Sequence, residues 1–174
     1  MNFTAQQNGW INIYKPKGIS SAHVVAKVKR LLPKNIKVGH AGTLDLEAEG
    51  ILPVAFGQAT KLISILMDAK KTYEFTIQFG ATTDTKDAAG MVLKTTEHIP
   101  TEKECSAIID KFVGTITQIP PIYSALKISG TPAYKLARGG KMLEMQPREI
   151  TIFDIKMTIY DLLKIMTGRL VSIN

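Results

Sequence analysis

Apolar and polar positions along this chain recur with two periods, and the switches between them mark its elements. Tyr73, Phe75, Ile77 and Phe79 alternate with Glu74, Thr76 and Gln78, the period-two pattern of a half-buried strand. Shorter extended runs fall at residues 9–14, before a Lys15-Pro16-Lys17-Gly18 turn, and at residues 54–56. Ile150, Ile152, Ile155, Met157 and Ile159 predict a long strand with one phase shift. Helical spacing takes over elsewhere. Val24, Val25, Val28, Leu31 and Leu32 form a stripe on a helix that either Ser20 or Ser21 can cap, running to about Leu32. Lys27, Lys29 and Arg30 fall off that stripe and read as a solvated face. Residues 58–69 predict a second helix, with Leu62, Ile65 and Leu66 inward. Thr101 and Glu104 form a capping box opening a third, with Cys105, Ile108, Ile109 and Phe112 inward and Gly114 at its close. A polar loop over 82–90 precedes a strand at 91–94, residues 115–119 and 122–128 flank a Pro-Pro break, and 133–138 form a short helix with Gly139 just past its end. Strands and helices are interspersed without a regular βαβ rhythm, so the fold class expected is α+β.

The chain's 174 residues suit one domain, and a 45% hydrophobic content is ample for a core. Lys and Arg exceed Asp and Glu by 22 − 15 = 7, which favours a polyanionic partner without saying anything about fold. That charge is dispersed, so no basic tail is expected. A single cysteine, Cys105, excludes an internal disulfide framework and a Cys-rich zinc site. Its helical spacing with apolar neighbours makes it a structural thiol. No secretory signal pattern and no membrane-spanning apolar run is visible, so the expected compartment is the cytoplasm.

Chemistry concentrates in Gly39-His40-Ala41-Gly42-Thr43-Leu44-Asp45, followed by Gly50-Ile51-Leu52-Pro53-Val54. Glycines let a backbone turn sharply and approach a ligand, and loops on rigid scaffolds are where catalytic groups tend to sit. A lone Asp in such a turn has a plain reading too, because Asp hydrogen-bonds its own backbone there. Gly39-His40-Ala41-Gly42 also has the form of the clamp of a KH-type RNA-binding module. That clamp joins two helices, whereas Ile36-Lys37-Val38 before it reads as extended. Asp84 and Asp87 lack the alternating ligands of a calcium loop, so no metal is expected there.

The whole stretch GHAGTLD…GILPVAFGQATKL resembles the active-site signature of the TruB family of bacterial tRNA pseudouridine synthases. Lys15-Pro16-Lys17-Gly18-Ile19-Ser20-Ser21, Lys71-Thr72-Tyr73-Glu74 with 79–90, residues 119–127 and residues 133–140 resemble further motifs in the family's order. The resemblance covers roughly residues 10–155. It implies a mixed, mainly antiparallel sheet with flanking helices, a catalytic core over 1–156 and a divergent tail over 157–174.

The resemblance also implies a reaction. Uridine becomes pseudouridine when the N1–C1′ bond breaks, the uracil rotates and C5 joins C1′. No atoms or electrons are gained or lost, so no cofactor is required. A carboxylate nucleophile can split such a rearrangement into two easier steps, and the role falls to Asp45. The target uridine of the tRNA T-loop must be extruded first. By resemblance His40 helps displace the base, and Tyr73 stacks on it, a contact worth about 1–3 kcal/mol. Lys15, Lys17, Lys61, Lys127 and Arg138 flank the motifs and are candidates to hold phosphates, which would position RNA without reading sequence. The implied partner is the tRNA T-arm, bound by a monomer with no obligate protein partner.

Two departures qualify this. After Asp45 the family usually has Pro-Leu-Ala-Thr-Gly, where this chain has Leu46-Glu47-Ala48-Glu49-Gly50, adding two carboxylates that would repel RNA unless turned away or paired. The family's later Gly-Thr-Tyr-Ile-Arg strand, whose arginine pairs with the aspartate, has no match, and Thr167-Gly168-Arg169 does not replace it. The expectation is therefore a truncated or frameshifted chain lacking one sheet strand, with little or no turnover. The competing reading is a non-catalytic RNA-binding remnant.

Overall fold

A computed structural model describes residues 7–124, 126–140, 143–160 and 165–173. Its contacts divide the chain into two units, Met1–Ala69 and Lys70–Asn174.

The first unit contains β1 (Gly9–Lys15), α1 (Ser21–Arg30), β2 (Val38–His40), β3 (Gly50–Phe56), a 3-10 turn (Gly57–Leu62) and α2 (Ile63–Met67). Its sheet runs β1-β3-β2 with antiparallel pairings, placing Gly9 opposite Phe56 at one end and Lys15 opposite Gly50 at the other. Val24 and Val28 of α1 pack on Leu52 and Val54 of β3, and Ile13, Ile19, Leu32, Val38 and Leu44 close around them. Burying each such side chain contributes about 1.5–3 kcal/mol, so this contact fixes α1 on the sheet. Ser20 caps the helix, its side chain accepting from the His23 amide at 3.1 Å. Ser21 is thereby the first helical residue, with its hydroxyl free for another partner.

The helix expected over 58–69 is a 3-10 turn followed by only five α-helical residues. Gly57 starts it at φ 65°, and the Thr60 hydroxyl donates to the Gly57 carbonyl at 2.7 Å, which tightens the first turn. Leu62 and Ile65 consequently face outward rather than inward.

The second unit contains β4 (Lys71–Gln78), β5 (Ala81–Thr83), β6 (Val92–Thr95), α3 (Glu102–Ile109), a 3-10 turn (Asp110–Phe112), β7 (Gly114–Gln118), β8 (Lys127–Ile128), β9 (Thr131–Pro132), α4 (Ala133–Arg138), β10 (Arg148–Tyr160) and β11 (Ile165–Ile173). One sheet has the order β4-β11-β10-β7, and β5-β6 and β8-β9 form separate hairpins. All these pairings are antiparallel. The α+β class expected from the sequence is the class observed. The phase shift expected in the long strand is a bulge between Ile152 and Asp154, with Lys70 Nζ 4.1 Å from the Phe153 ring centroid.

One expectation about this unit fails. The sheet does not lack a strand at this end, because residues 165–173 of the expected tail form β11, which lies between β4 and β10 and bonds to both. Residues 165–173 carry β-branched and apolar positions, and these suit a strand between two neighbours. Gly168 sits opposite Phe75, where a Cβ would meet the ring at 2.5 Å, so glycine suits this close crossing.

The capping box at the start of α3 forms as expected. Thr101 accepts from the Glu104 amide at 3.3 Å, and the Glu104 carboxylate accepts from the Thr101 amide at 2.8 Å. Of its stripe Cys105 is buried, whereas Ile108 and Phe112 are exposed; the 3-10 turn after Ile109 rotates Phe112 off the apolar face. The Thr101 amide, the Thr101 hydroxyl and nearby His98 hold the Glu104 carboxyl below its usual range. A depressed folded-state value stabilises above the unfolded pKa and loses that contribution as pH falls through the folded one. Glu104→Ala should therefore lower the thermal midpoint at neutral pH and match the parent in acid. A midpoint difference that persists undiminished in acid would contradict this. Among the described residues, no helix is long and apolar enough to cross a membrane.

Candidate active site

The loop between β2 and β3 carries Asp45, and the turn between β1 and α1 braces it. The hydroxyl of Ser21 accepts from the Leu44 amide at 3.0 Å and donates to the Leu44 carbonyl at 2.9 Å. The Gly18 amide donates to the Leu46 carbonyl at 2.8 Å. That donor is aimed by a φ of 81° at Gly18, which a side chain would resist. Farther along, Lys15 Nζ donates to the Ala48 carbonyl at 2.5 Å, and at the loop's start the Ala41 amide donates to the Pro53 carbonyl at 2.9 Å. Both neighbours of Asp45 are thus held by one segment, residues 15–21. The Asp45 side chain itself is exposed, with no hydrogen bond or ion pair among the described residues. A fixed backbone carrying an open carboxylate suits a nucleophile.

Lys15 departs from its expected role. It is 0% exposed, and its ammonium donates to the carbonyls of Pro16 at 3.1 Å and Ile19 at 2.9 Å as well as to Ala48. Three donors meet three acceptors, which is the full donor capacity of a lysine. It is a clamp within the protein and offers nothing to a phosphate.

The other expected residues are dispersed. His40 ends β2, opposite Val54 and half-buried, and its Nδ1 is buried without a hydrogen-bond partner among the described residues. Lys17 is exposed in the bracing turn, at the Asp45 end of the sheet. Lys61 borders a cleft of about 430 Å³, with Asn8, Lys37 and Gln58. That cleft adjoins the Gly9–Phe56 end of the sheet, six strand residues or roughly 20 Å from the Asp45 end. Tyr73 belongs to the second unit, opposite Leu170 in β11, with a 41% exposed side chain. Lys127 lies in β8 and Arg138 ends α4; their side chains fall outside the described residues.

Sequence reasoning missed two contacts here. Ser21 was one of two possible caps, and only one hydroxyl can serve a helix start, so the spare one was the available signal. The other is Glu49. A hydrogen bond to Glu49, desolvation and the Glu49 charge together raise Tyr14 above the usual phenol range. This added carboxylate is paired with a hydroxyl.

Comparison with known proteins gives the class. The model of the TruB family pseudouridylate synthase N-terminal domain matches residues 29–169. The chain belongs to this family. It is 59% identical over 152 residues to tRNA pseudouridine synthase B of Rickettsia felis, covering 87% of this chain and 45% of that protein. It is 58% identical to the Rickettsia bellii protein of the same name, covering 87% of this chain and 52% of that one. The chain spans about half the length of the curated relatives it matches. Among solved structures, a Cbf5-Nop10-Gar1 complex contains a chain that aligns with 95% of this one, at TM-score 0.66 and 26% identity, over 39% of its own length. A structure of an H/ACA RNP bound to a substrate RNA containing 2′-deoxyuridine aligns at TM-score 0.62 and 23% identity, which supports the fold alone.

Proposed function

We propose that this chain isomerises the T-loop uridine of tRNA to pseudouridine, with Asp45 as nucleophile and no cofactor. The observation that carries the reading is the exposed Asp45 carboxylate between two backbone groups clamped by residues 15–21. An attacking carboxylate gains most when it is held near its target before reaction, because orientation is then not lost at the transition state. His40, at the edge of the same loop, takes the place of the base withdrawn from the stack. Tyr73 stacks on the extruded uracil. Lys17 and Lys61, set at opposite ends of the first unit's sheet, hold backbone phosphates, with Lys127 and Arg138 serving the second unit.

The strand β11 removes one ground for expecting an inactive chain. The arginine implied by resemblance to partner Asp45 still has no matching residue, so slow turnover is expected. Incubating the chain with T-arm RNA and digesting to nucleosides tests the activity: pseudouridine at the T-loop position supports it, and an unaltered nucleoside profile opposes it. Binding should be dominated by phosphate contacts, given the net charge of +7. Affinity for T-arm RNA should then fall about 10–100-fold from low to physiological salt as counterion release weakens. A dissociation constant independent of salt in filter binding would oppose that.

A further inference from the structure

We propose that Ser21 is a positioning residue for Asp45, holding the peptide before the nucleophile through a hydroxyl that both donates and accepts. This rests on the reading of Asp45 as nucleophile. Ser21 is 2% exposed, and a buried hydroxyl is costly unless its hydrogen bonds are made. Both are made to one residue, Leu44, at 3.0 and 2.9 Å. Helix capping does not need this hydroxyl, because Ser20 supplies the cap. Leu44 lies outside every strand ladder, so its amide and carbonyl have no partner in a sheet to fall back on. The Leu44 side chain also packs against the Val24–Val28–Leu52–Val54 core, which fixes the residue at both backbone and side chain.

The clamp stands on a rigid element. Ser21 opens α1, which Val24 and Val28 anchor to the sheet, so the hydroxyl does not move with the loop. On the far side of Asp45 the Leu46 carbonyl is held by the Gly18 amide. Residue 45 is therefore suspended between two fixed points, which set where its side chain leaves the backbone. Loss of the Leu44 point leaves Asp45 in place chemically but frees its backbone on one side. Ser21 has no substrate contact to lose, so RNA affinity should not change.

Two readouts separate this from a merely structural role. In Ser21→Ala, amide exchange at Leu44 should quicken about tenfold or more, the scale of one net hydrogen bond, while the amides of α1 keep their protection. With protein in excess and saturating over T-arm RNA, the rate of pseudouridine formation should fall about 10–100-fold, as a misplaced reacting group does. The protein concentration giving half the maximal rate should stay unchanged. Ser21→Thr, which restores the hydroxyl, should recover both the exchange protection and the rate. Unchanged exchange at Leu44 would overturn the proposal, as would an unchanged saturating rate. Faster exchange throughout α1 together with a lost rate would also overturn it, by showing general loosening. If the parent chain makes no pseudouridine, the proposed function fails separately, and Leu44 exchange still decides whether the clamp exists.

Discussion

Replacing Asp45 by Asn should abolish pseudouridine formation while leaving T-arm RNA bound as tightly as before. The amide has nearly the same shape but carries no negative charge and does not attack carbon. Loss of a covalent nucleophile costs about 10⁴-fold or more in rate, well beyond any loss expected from a positioning residue. Nothing in the bracing of this loop runs through the Asp45 side chain. Ser21, Gly18 and Lys15 hold the peptide groups of Leu44, Leu46 and Ala48, so the variant should fold as the parent does. Tritium release from C5-labelled uridine in tRNA follows the reaction directly. Substantial release by the variant would remove Asp45 from the role.

Lys15→Met should unfold at markedly lower urea than the parent, with a stability loss of about 3–5 kcal/mol, the scale of breaking a buried charged interaction. Lys15 is wholly buried, and its three N–H groups are distributed over the carbonyls of Pro16, Ile19 and Ala48. Methionine fills a similar volume but leaves those acceptors without this donor. Lys15→Arg should not rescue it, because a planar guanidinium cannot converge on three carbonyls as an ammonium does. The bond to Ala48 ties the far side of the Asp45 loop to β1, so catalysis should suffer together with stability. A midpoint within experimental error of the parent would show that the ammonium contributes nothing, contrary to its geometry.

The sequence was most legible where local patterning alone decides an element. The Thr101–Glu104 capping box and the Ile152/Asp154 phase shift each rest on neighbouring residues and form as expected, and the alternation over 73–79 gives the strand β4, although Tyr73 and Ile77 on its apolar face are exposed. It was less legible where a long-range partner decides the outcome. Lys15 looks like a surface lysine in a basic turn until Ala48, on another loop, is seen to accept its hydrogen bond. β11 lacks the letters of the resembled motif, but a strand is specified by pairing and burial more than by particular residues, and β4 and β10 supply the pairing. The stripe over 58–69 misled because φ 65° at Gly57 and the Thr60 hydroxyl tighten the helix start. For the site, resemblance alone proposed Asp45, His40 and Tyr73. The clamp that makes Asp45 credible as a nucleophile required the fold.

If Asp45 on its braced loop converts uridine in RNA, mixing excess 174-residue chain with T-arm RNA, quenching at intervals and separating the nucleosides should show it. Pseudouridine should appear slowly, in a single turnover, at the T-loop uridine and nowhere else. RNA that is bound to saturation yet recovered with that uridine unchanged would contradict it and leave a non-catalytic RNA-binding remnant.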